Sequence, residues 1–483
     1  MMTDRLPDGY VIELSANVRY RDSGTTLVGG APKSILYLEP AAEEMLDARR
    51  LTVTDNQSAE FGDLLIDLGM AHPVVHELPV VDPDLVTYVI PVVDRPAQLE
   101  RVLASIGENA QIIVVDDGSR DPHIHERVAR AHGSRFIALP VNMGPGAARN
   151  AGLREVTTPY VAFVDSDVVV DSQMVPHLVR HFADPKVALV LPRVLGLHGS
   201  EETNWIGRYE NSRSSLDLGE LPSLVHPRAV ASWVPGTCTI ARVDRLEGGF
   251  AEDLRVGEDV DLGWRLGNQG WRVRYDPSVQ VRHDHRVKFG AWMRRKAFYG
   301  GSSSALTKRF PYYVAPALLS PSNIVTMVAV VAARRWSVPV IAAVWAIIAV
   351  RNVVKLRPAT SRVRLGILVA TEDLVATQYQ LMGILLRHWW PISVVVGVFS
   401  KRFRYVLAAA AVVDAVLARR RNRAELDLPR YFVARRLDDL AFGAGVWLSA
   451  WRERTIRTFF PDLRRKPGVT ANQDLGEVVR PTR

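Results

Sequence analysis

Carboxylates that directly follow apolar runs are the residues of this chain best suited to chemistry. Asp165 and Asp167 come one residue apart after the run Tyr160–Val164. Two carboxylates this close repel each other unless a cation lies between them. Mg²⁺ or Mn²⁺ accepts such oxygen ligands and can offset the charge of a departing diphosphate. The spacing predicts a divalent-metal site, which an imidazole of His283 or His285 could complete. Solvent-facing aspartates and a solvated histidine turn are the alternatives.

A second acidic pair, Asp116-Asp117, follows the apolar run Ile112–Val115 and precedes Gly118. A carboxylate at the end of a strand can accept hydrogen bonds from a uracil N–H and from ribose hydroxyls. The glycine permits a tight turn, and Asp-Gly is itself a common turn pair. The pair indicates nucleoside binding, with a plain β-turn as the alternative.

The segment Asn142–Asn150 is a loop with two glycines that leads into a helix and places Arg149 near the helix start. Backbone N–H groups at a helix N-terminus favour phosphate. The spacing G-x-G-x-x-G of dinucleotide-binding proteins is absent. We interpret the segment as a phosphate-binding loop, with a simple loop-to-helix connection as the alternative.

Glu258 and Asp259 stand at the start of another helical pattern. The helix dipole favours acids in a first turn, so simple capping is one interpretation. The other is a general base that takes the proton of an acceptor hydroxyl, an effect of about 10²–10⁴-fold.

Positioning these residues requires strands whose carboxyl ends meet. Continuous apolar runs alternate with helical patterns, which predicts a mostly parallel α/β sheet with strands buried on both faces. Ligands bind at the carboxyl ends of such strands, where the motifs fall. The predicted strands are Val86–Val93, Ile112–Val115, Phe136–Leu139 and Tyr160–Val164, with helices over Ala97–Ile106 and Ile124–Ala131.

The pattern divides the chain into four predicted parts. Residues 1–80 form a small α+β domain with helices over Pro40–Arg50 and Phe61–Met70. Residues 81–305 form the catalytic domain, and residues 306–425 form an apolar, membrane-associating helical region. Residues 426–483 form a basic tail, which we expect to be loosely structured from Lys466.

Composition favours a reducing compartment. Of 483 residues, 48% are hydrophobic and one is a cysteine, Cys238, so no intrachain disulfide can form. The N-terminus shows no secretory signal pattern.

Charge and apolar runs together favour a membrane surface. The net charge is +8, with arginine clusters beside apolar runs in the last third, which favours anionic lipid over a merely solvated basic face. Aromatic stacking platforms do not accompany them, so nucleic acid is not an expected partner. No charge lies between Arg309 and Arg334, but prolines crowd that run and the later runs are shorter, which leaves the number of spans open. We expect the cytoplasmic face of the cell membrane.

In order and spacing, the motifs from Asp84 to about Arg295 resemble the family 2 glycosyltransferases with the Rossmann-like glycosyltransferase A fold. The resemblance implies a nucleotide-sugar donor, a catalytic base at Asp259 and a metal ion, Mg²⁺ or Mn²⁺, at the D-x-D pair. The implied donor-binding residues are Pro91, Asp116, Asp117, Arg149, Asp165 and Asp167. The implied acceptor-binding residues are Gly236, Thr237 and Glu258, and the implied metal ligands are Asp165, Asp167 and His283 or His285.

The reaction implied by this resemblance is direct displacement with inversion. The base deprotonates the acceptor hydroxyl, which attacks the anomeric carbon opposite the leaving nucleotide, so an α-linked donor gives a β-glycoside. Processive members carry a Q-x-x-R-W motif, whereas the corresponding segment Trp292–Gly300 lacks the glutamine and the terminal tryptophan. This departure argues against extrusion of a long polysaccharide.

Over nearly the whole chain, the sequence resembles the mycofactocin-system glycosyltransferases. The stretches that carry this resemblance are Leu14–Ala16, Thr26–Pro32, His283–Arg286 and Tyr299–Ser303. It implies a peptide-derived redox cofactor, or its precursor, as acceptor, UDP-glucose as donor and addition of several β-linked glucoses. The N-terminal part resembles peptide-recognition domains of the PqqD type, with a structural cap as the alternative.

Two other functions stay open from the sequence. A family 2 transferase that loads a polyprenyl phosphate or extends a cell-wall glycan would suit the basic, apolar last third. A sugar-nucleotide-binding membrane scaffold without activity would not need Asp165, Asp167 and Asp259, so the presence of these acids argues against it.

Overall fold

The computed structural model describes residues 5–31, 33–107, 109–199, 201–227, 229, 231–356 and 360–463. Pro32 and the predicted loose tail beyond residue 463 lie outside these ranges. The chain forms two compact units, so the boundary before the apolar region falls at Arg286 rather than at residue 306. Unit 1 comprises Met1–Tyr20, Leu27–Gly199 and Arg213–His285; unit 2 comprises Arg21–Thr26, Ser200–Ser212 and Arg286–Arg483.

The N-terminal part is a small α+β structure. Its elements are β1 (Val11–Leu14), β2 (Arg19–Arg21), β3 (Thr26–Gly29), β4 (Ser34–Tyr37), α1 (Pro40–Glu44), β5 (Arg50–Thr52), α2 (Asn56–Asp67) and β6 (Ala71–Pro73). The strands form two three-stranded sheets, in the orders β5-β1-β6 and β2-β3-β4. The helix predicted over Pro40–Arg50 ends at Glu44. It cannot extend to Arg50, because Ala48 and Arg49 adopt positive φ angles of 43° and 79° in a turn just before β5.

The centre of unit 1 is a mixed sheet in the order β11-β15-β12-β14-β10-β7-β8-β9, with β13 paired to β15. Its strands are β7 (Val86–Val92), β8 (Gln111–Asp116), β9 (Arg135–Ala138), β10 (Tyr160–Val164), β11 (Val168–Val169), β12 (Val187–Gly196), β13 (Ser223–Leu224), β14 (Cys238–Arg242) and β15 (Arg272–His283). The helices of unit 1 that follow are α3 (Pro96–Ile106), α4 (Pro122–Ala131), α5 (Pro145–Leu153), α6 (Met174–Leu178) and α8 (Glu258–Asn268), whereas α7 (Trp205–Arg213) belongs to unit 2 except for its last residue. This sheet with its helices confirms the predicted α/β fold class.

Parallel pairing brings the candidate residues to one edge. Strands β10, β7, β8 and β9 are parallel neighbours, so their carboxyl ends lie side by side. The antiparallel strand β14 pairs with β10 and places Cys238 opposite Val164. Adjacent residues face opposite cores, as Val114 and Val115 show. Two buried faces explain why these strands read as continuous apolar runs.

Unit 2 is helical. Its further helices are α9 (Phe289–Gly300), α10 (Ser303–Arg309), α11 (Pro321–Ala332), α12 (Ser337–Lys355), α13 (Arg362–Gly383), α14 (Trp390–Phe399), α15 (Lys401–Arg421) and α16 (Leu428–Arg452). Helix α12 is long and apolar enough to cross a membrane, and the helical stretch Arg362–His388 meets α14 at a bend of 90°. The region predicted as a basic tail contains a long helix, α16. Tyr431 of α16 is buried in one hydrophobic cluster with Trp292 of α9, so this part of the region is packed rather than a tail.

Candidate active site

The aspartate pair lies where β10 ends. The backbone N–H of Asp165 donates to the Thr237 carbonyl at 2.9 Å, which ties the pair to the segment before β14. Oδ1 of Asp165 accepts a hydrogen bond from Nη2 of Arg149 at 2.6 Å. Burial raises the pKa of Asp165 to about 6 against the lowering effect of Arg149, and nearby Asp167 raises it further. A carboxyl group in this position gains from additional positive charge.

Asp167 faces a histidine from β15. Antiparallel pairing of β11 with β15 sets Val168 opposite His283. Nε2 of His283 lies 3.5 Å from Oδ1 of Asp167, while Nδ1 of His283 lies 3.2 Å from Nδ1 of His285. His283 therefore stands between the aspartate and His285. Oδ2 of Asp167 forms an ion pair with Arg95.

This donor set suits a divalent cation. Asp167 lies next to His283, and Asp165 is close enough to Asp167 for their charges to interact, so that burial and Asp167 together raise the pKa of Asp165. Nε2 of His283 and Oδ1 of Asp167 are 3.5 Å apart. An ion with bonds of about 2.0–2.2 Å can span such a separation. Of the two predicted histidines, the geometry favours His283 as a ligand.

The Asp116-Asp117 pair holds the loops that follow β8 and precede α5. Asp116 is fully buried; its Oδ1 accepts from the Ser119 N–H at 2.8 Å, and its Oδ2 lies 2.8 Å from Nδ1 of His125. Asp117 accepts from the N–H groups of Met143 and Gly144 at 2.7 and 2.9 Å. The second acid thus joins the end of β8 to the predicted phosphate loop.

Two other features fix this part of the site. Gly118 has φ of +69°, and a Cβ there would lie 2.4 Å from the Asn142 nitrogen. Only glycine allows these loops to approach so closely. Pro91 lies in β7, paired with Val115 of β8 and one residue before the carboxyl end of its strand. Its predicted donor contact stays a prediction.

Arg149 is a buried link rather than an exposed phosphate ligand. Its side chain is 3% exposed. Nη1 donates to Oε1 of Glu258 at 2.7 Å, and Nη2 donates to Asp165 and to the Gly236 carbonyl at 2.6 and 3.0 Å. Arg149 therefore connects the predicted metal site with the predicted base.

Asp259 occupies the first turn of α8. Its Oδ2 accepts from the Gly236 N–H at 2.6 Å, and its Oδ1 accepts from the Val260 N–H at 2.8 Å. Burial and neighbouring Glu258 raise the pKa of Asp259 to about 7 despite the opposing effect of Arg149. A carboxylate with this pKa is suited to general-base work near neutral pH.

Simple capping does not account for the two acids. The residue that precedes the helix is Gly257, in a left-handed conformation with φ of 87° and without a side-chain cap. Glu258 pairs with Arg149, and the carboxylate of Asp259 holds the Gly236 backbone. Both acids thus have tertiary partners, which favours the functional interpretation.

Gly236 leaves no room for a side chain. A Cβ there would lie 2.9 Å from Oδ2 of Asp259 and 3.2 Å from Nη2 of Arg149. The neighbouring Thr237 is buried and fixes Asp165 through its carbonyl. Both predicted acceptor-loop residues therefore lie against carboxylates of the candidate site, Asp259 and Asp165, although their contact with an acceptor stays a prediction.

Sequence reasoning missed Arg95 and His125. The N–H of Arg95 donates to Nε2 of His125 at 3.1 Å, while the Arg95 side chain pairs with Asp167. The available signal was the position of Asp94-Arg95 just after the β7 run, at the sheet edge where the other motifs fall. His125 gave no such signal, because it lies within the helical pattern of α4.

A separate cavity of about 680 Å³ lies beside the N-terminal strands. Ser15, Arg49 and His72 line one side, and Leu221–Ser223 lines another. A concave surface of this size is typical of small-ligand sites. None of the residues predicted to bind donor, acceptor or metal lines it.

Sequence comparisons agree with these motifs. The model for Glycosyl transferase family 2 matches residues 87–229, and the model for Glycosyl transferase family group 2 matches residues 160–355. The pre-mycofactocin glycosyltransferase of Mycobacterium tuberculosis is 39% identical over 475 residues, which cover 96% of this chain and 100% of the relative. The poly-beta-1,6-N-acetyl-D-glucosamine synthase of Staphylococcus aureus is 24% identical over 232 residues, which cover 45% of this chain and 55% of the relative.

Two solved structures are also similar to the chain. The mannosyltransferase PcManGT of Pyrobaculum calidifontis, solved with GDP-Man and Mn²⁺, has a TM-score of 0.41 at 18% identity and covers 77% of this chain and 91% of its own. The glucosyl-3-phosphoglycerate synthase of Mycobacterium tuberculosis, solved with Mg²⁺ and UDP, has a TM-score of 0.34 at 23% identity and covers 46% of this chain and 78% of its own.

Proposed function

This chain belongs to glycosyltransferase family 2, with the mycofactocin-system glycosyltransferases, and from that premise we propose that it transfers glucose from UDP-glucose to a peptide-derived redox cofactor or its precursor. The relative named pre-mycofactocin glycosyltransferase, 39% identical over 96% of this chain, supports this acceptor class. Addition of several β-linked glucoses, with inversion at each anomeric carbon, is part of the same proposal.

The nucleotide binds along the carboxyl edge of the sheet. Asp117 and the loop at Met143 face the nucleoside side, and Asp165 and Asp167 hold Mg²⁺ or Mn²⁺ together with His283. The contact of Asp167 with His283 and the electrostatic effect of Asp167 on Asp165 support this placement. When bound, the ion supplies positive charge against which the diphosphate leaves.

Asp259 acts as the general base. The observation that carries this assignment is the position of Asp259 beside Gly236 and next to a Glu258 that Arg149 already pairs, where burial and Glu258 raise its pKa to about 7. The carboxylate accepts the proton of the acceptor hydroxyl as the oxygen attacks the anomeric carbon. Gly236 holds Oδ2 of Asp259 in place through its N–H. The bond from sugar to diphosphate breaks on the opposite face.

Unit 2 attaches the enzyme to the cytoplasmic face of the membrane in this proposal. Large apolar side chains on α12 are exposed: Val338, Ile347 and Val350 are 73%, 59% and 64% exposed. Only 11% of the most apolar stretch of α12 is buried. Exposed apolar faces of this kind mark membrane or protein contacts. The same feature favours a second candidate function, transfer to a polyprenyl phosphate.

Product analysis distinguishes these functions. Full-length protein is incubated with UDP-glucose, UDP-N-acetylglucosamine or GDP-mannose, with Mg²⁺ or Mn²⁺, and with either the peptide-derived acceptor or polyprenyl phosphate. We expect mass spectrometry to find a water-soluble acceptor carrying one or more hexoses, from UDP-glucose alone, and no product with Asp167→Asn. A hexosylated lipid in the organic phase as sole product would instead establish the second candidate.

A further inference from the structure

A second polar cluster in unit 1 lies outside the catalytic acids. His177 and His181 are four residues apart, in α6 and the 3₁₀ turn Val179–Ala183 that continues it. Residues at this spacing share one face of a helix. Both imidazoles reach Asp276 of β15: Nε2 of His177 lies 3.1 Å and Nε2 of His181 lies 2.7 Å from Oδ2.

Irregular backbone aims the carboxylate at the histidines. Asp276 of β15 pairs with Pro192 of the neighbouring strand β12, whereas Gln280 pairs with the next residue of β12, Arg193. The residues between Asp276 and Gln280 therefore have no partner on β12 and form a bulge. A bulge re-aims side chains. The N–H and hydroxyl of Ser278 donate to Oδ1 of Asp276 at 2.9 and 2.6 Å, which fixes the carboxylate and turns Oδ2 towards the imidazoles.

We propose that His177, His181 and Asp276 form a structural Zn²⁺ site. Two imidazole nitrogens and one carboxylate oxygen are a ligand set typical of zinc, whereas Mg²⁺ prefers oxygen ligands alone. A histidine pair four residues apart on a helix presents both nitrogens to one ion. The cluster therefore differs in chemistry from the catalytic aspartate pair.

The distances suit such an ion. The three ligand atoms all lie within 4.8 Å of one another. Tetrahedral zinc with bonds of about 2.0–2.2 Å separates its ligand atoms by about 3.3 Å. The contacts of each imidazole with Asp276, at 3.1 and 2.7 Å, need a small opening to reach that separation, and the two imidazole nitrogens, at most 4.8 Å apart, need to approach by no more than about 1.5 Å. Oγ of Ser278, 2.9 Å from Nε2 of His177, or a water molecule supplies the fourth ligand.

Burial is consistent with a structural role. His181 and Asp276 are buried, while His177 is partly exposed and gives the ion a route of entry. The ion would join the α6 segment to the strand that carries Arg272 at one end and His283 at the other. Zinc there would hold the strand that brings His283 to Asp167, without contact with the sugar donor.

Metal titration of the full-length chain tests this site. Chelator-treated protein is titrated with Co²⁺ and then Zn²⁺, with Asp167→Asn as a background that weakens the catalytic metal site. We expect one tight equivalent per chain, visible d–d absorption with Co²⁺ and its loss on addition of Zn²⁺. His177→Ala should lose this binding and keep its fold because His177 is partly exposed, whereas the exposed His123→Ala should bind as the parent does.

A second variant tests ligation directly. His177→Cys replaces an imidazole with a thiolate, which zinc and cobalt also bind. We expect retained Co²⁺ binding with a new sulfur-to-cobalt charge-transfer band in the near ultraviolet. Absence of tight Zn²⁺ binding by the parent protein, unchanged binding in His177→Ala, or a cobalt spectrum of His177→Cys without that band would each overturn the proposal.

Discussion

At the residue scale, a continuous set of contacts leads from Asp165 to Asp259. Arg149 joins Asp165 to Glu258 and to the Gly236 carbonyl, and the Gly236 N–H holds Asp259. Since Arg149 already pairs Glu258, we propose that Asp259 is the carboxylate that accepts the proton of the acceptor hydroxyl. The local pattern placed both acids in one helical turn without distinguishing them, because Arg149 lies far away in the chain, and only the resemblance to family 2 implied Asp259 as the base.

Replacement of Asp259 should separate chemistry from binding. Asp259→Asn removes the basic group, so turnover should fall by about 10²–10⁴-fold while donor affinity changes little. Turnover assays beside calorimetric titration with UDP-glucose measure both quantities. Asp244→Asn, on the exposed surface of unit 1, is the control and should resemble the parent. Near-normal turnover of Asp259→Asn would remove the base assignment.

The raised pKa of Asp259 sets a pH dependence. Because the group must be deprotonated to accept a proton, kcat should be low in acid, rise through a midpoint near the pKa of about 7 and level off above it. Stopped assays from pH 5 to 9 at saturating donor record the profile. The low residual kcat of Asp259→Asn should not show this rise with pH. A midpoint near the ordinary pKa of aspartate would contradict the proposed environment of the base.

Gly236 permits the contact between loop and base. In Gly236→Ala the new methyl would meet Oδ2 of Asp259 and Nη2 of Arg149, so both groups must move. We expect turnover to fall by at least ten-fold, because a displaced base loses most of its contribution of about 10²–10⁴-fold. Gly267→Ala is the control, since a Cβ there contacts nothing within 4 Å. Equal activities of the two variants would show that Gly236 is dispensable.

At the scale of elements, the sequence predicted the parallel strands β7, β8, β9 and β10. It missed β12 and β14, although both are largely buried, and it missed β15, which carries buried charge. Strands β7, β8 and β10 appear as apolar runs, and their order predicted where Asp116 and Asp165 lie. Strand β15 was not predicted, because Arg272 and Arg274 interrupt its apolar pattern. Both arginines are buried, and Arg272 pairs with carboxylates of the N-terminal part, contacts that no local pattern indicates.

Arg272 should stabilise the packing of α2 on the sheet. Its guanidinium lies 2.8 Å from Asp63, 2.7 Å from Asp67 and 2.8 Å from Asp184. Arg272→Met leaves those carboxylates without their shared cation, which should lower the free energy of unfolding by about 3–5 kcal/mol. Chemical denaturation of the full-length protein, followed by a spectroscopic signal from unit 1, measures this change in the free energy of unfolding. Arg282→Met, on the exposed part of the same strand, should change stability little.

At the scale of the whole chain, the helical unit depends on α16. Lys296 of α9 lies 2.8 Å from Glu210 and 4.0 Å from Asp438 of α16, and Tyr431 of α16 shares a core with Trp292. The sequence could not foresee this, since the arginines around α16 resembled a solvated tail. Removal of the chain after Arg309 would expose these groups, so loss of membrane binding in such a truncation would not identify the surface responsible.

Substitutions on α12 test membrane attachment without that ambiguity. Val338→Gln with Val350→Gln replaces side chains that are 73% and 64% exposed. Full burial of a valine contributes about 1.5–3 kcal/mol, so the pair should reduce partitioning into bilayers by at least about ten-fold even where burial is partial. Flotation of full-length protein with vesicles containing anionic lipid measures the bound fraction. The control pair Val80→Gln with Val141→Gln changes residues that are 74% and 63% exposed in unit 1, and it should float like the parent. A parent protein that stays in the soluble fraction without detergent would refute the membrane proposal, and equal losses in both variants would show that surface apolarity, rather than α12, drives the association.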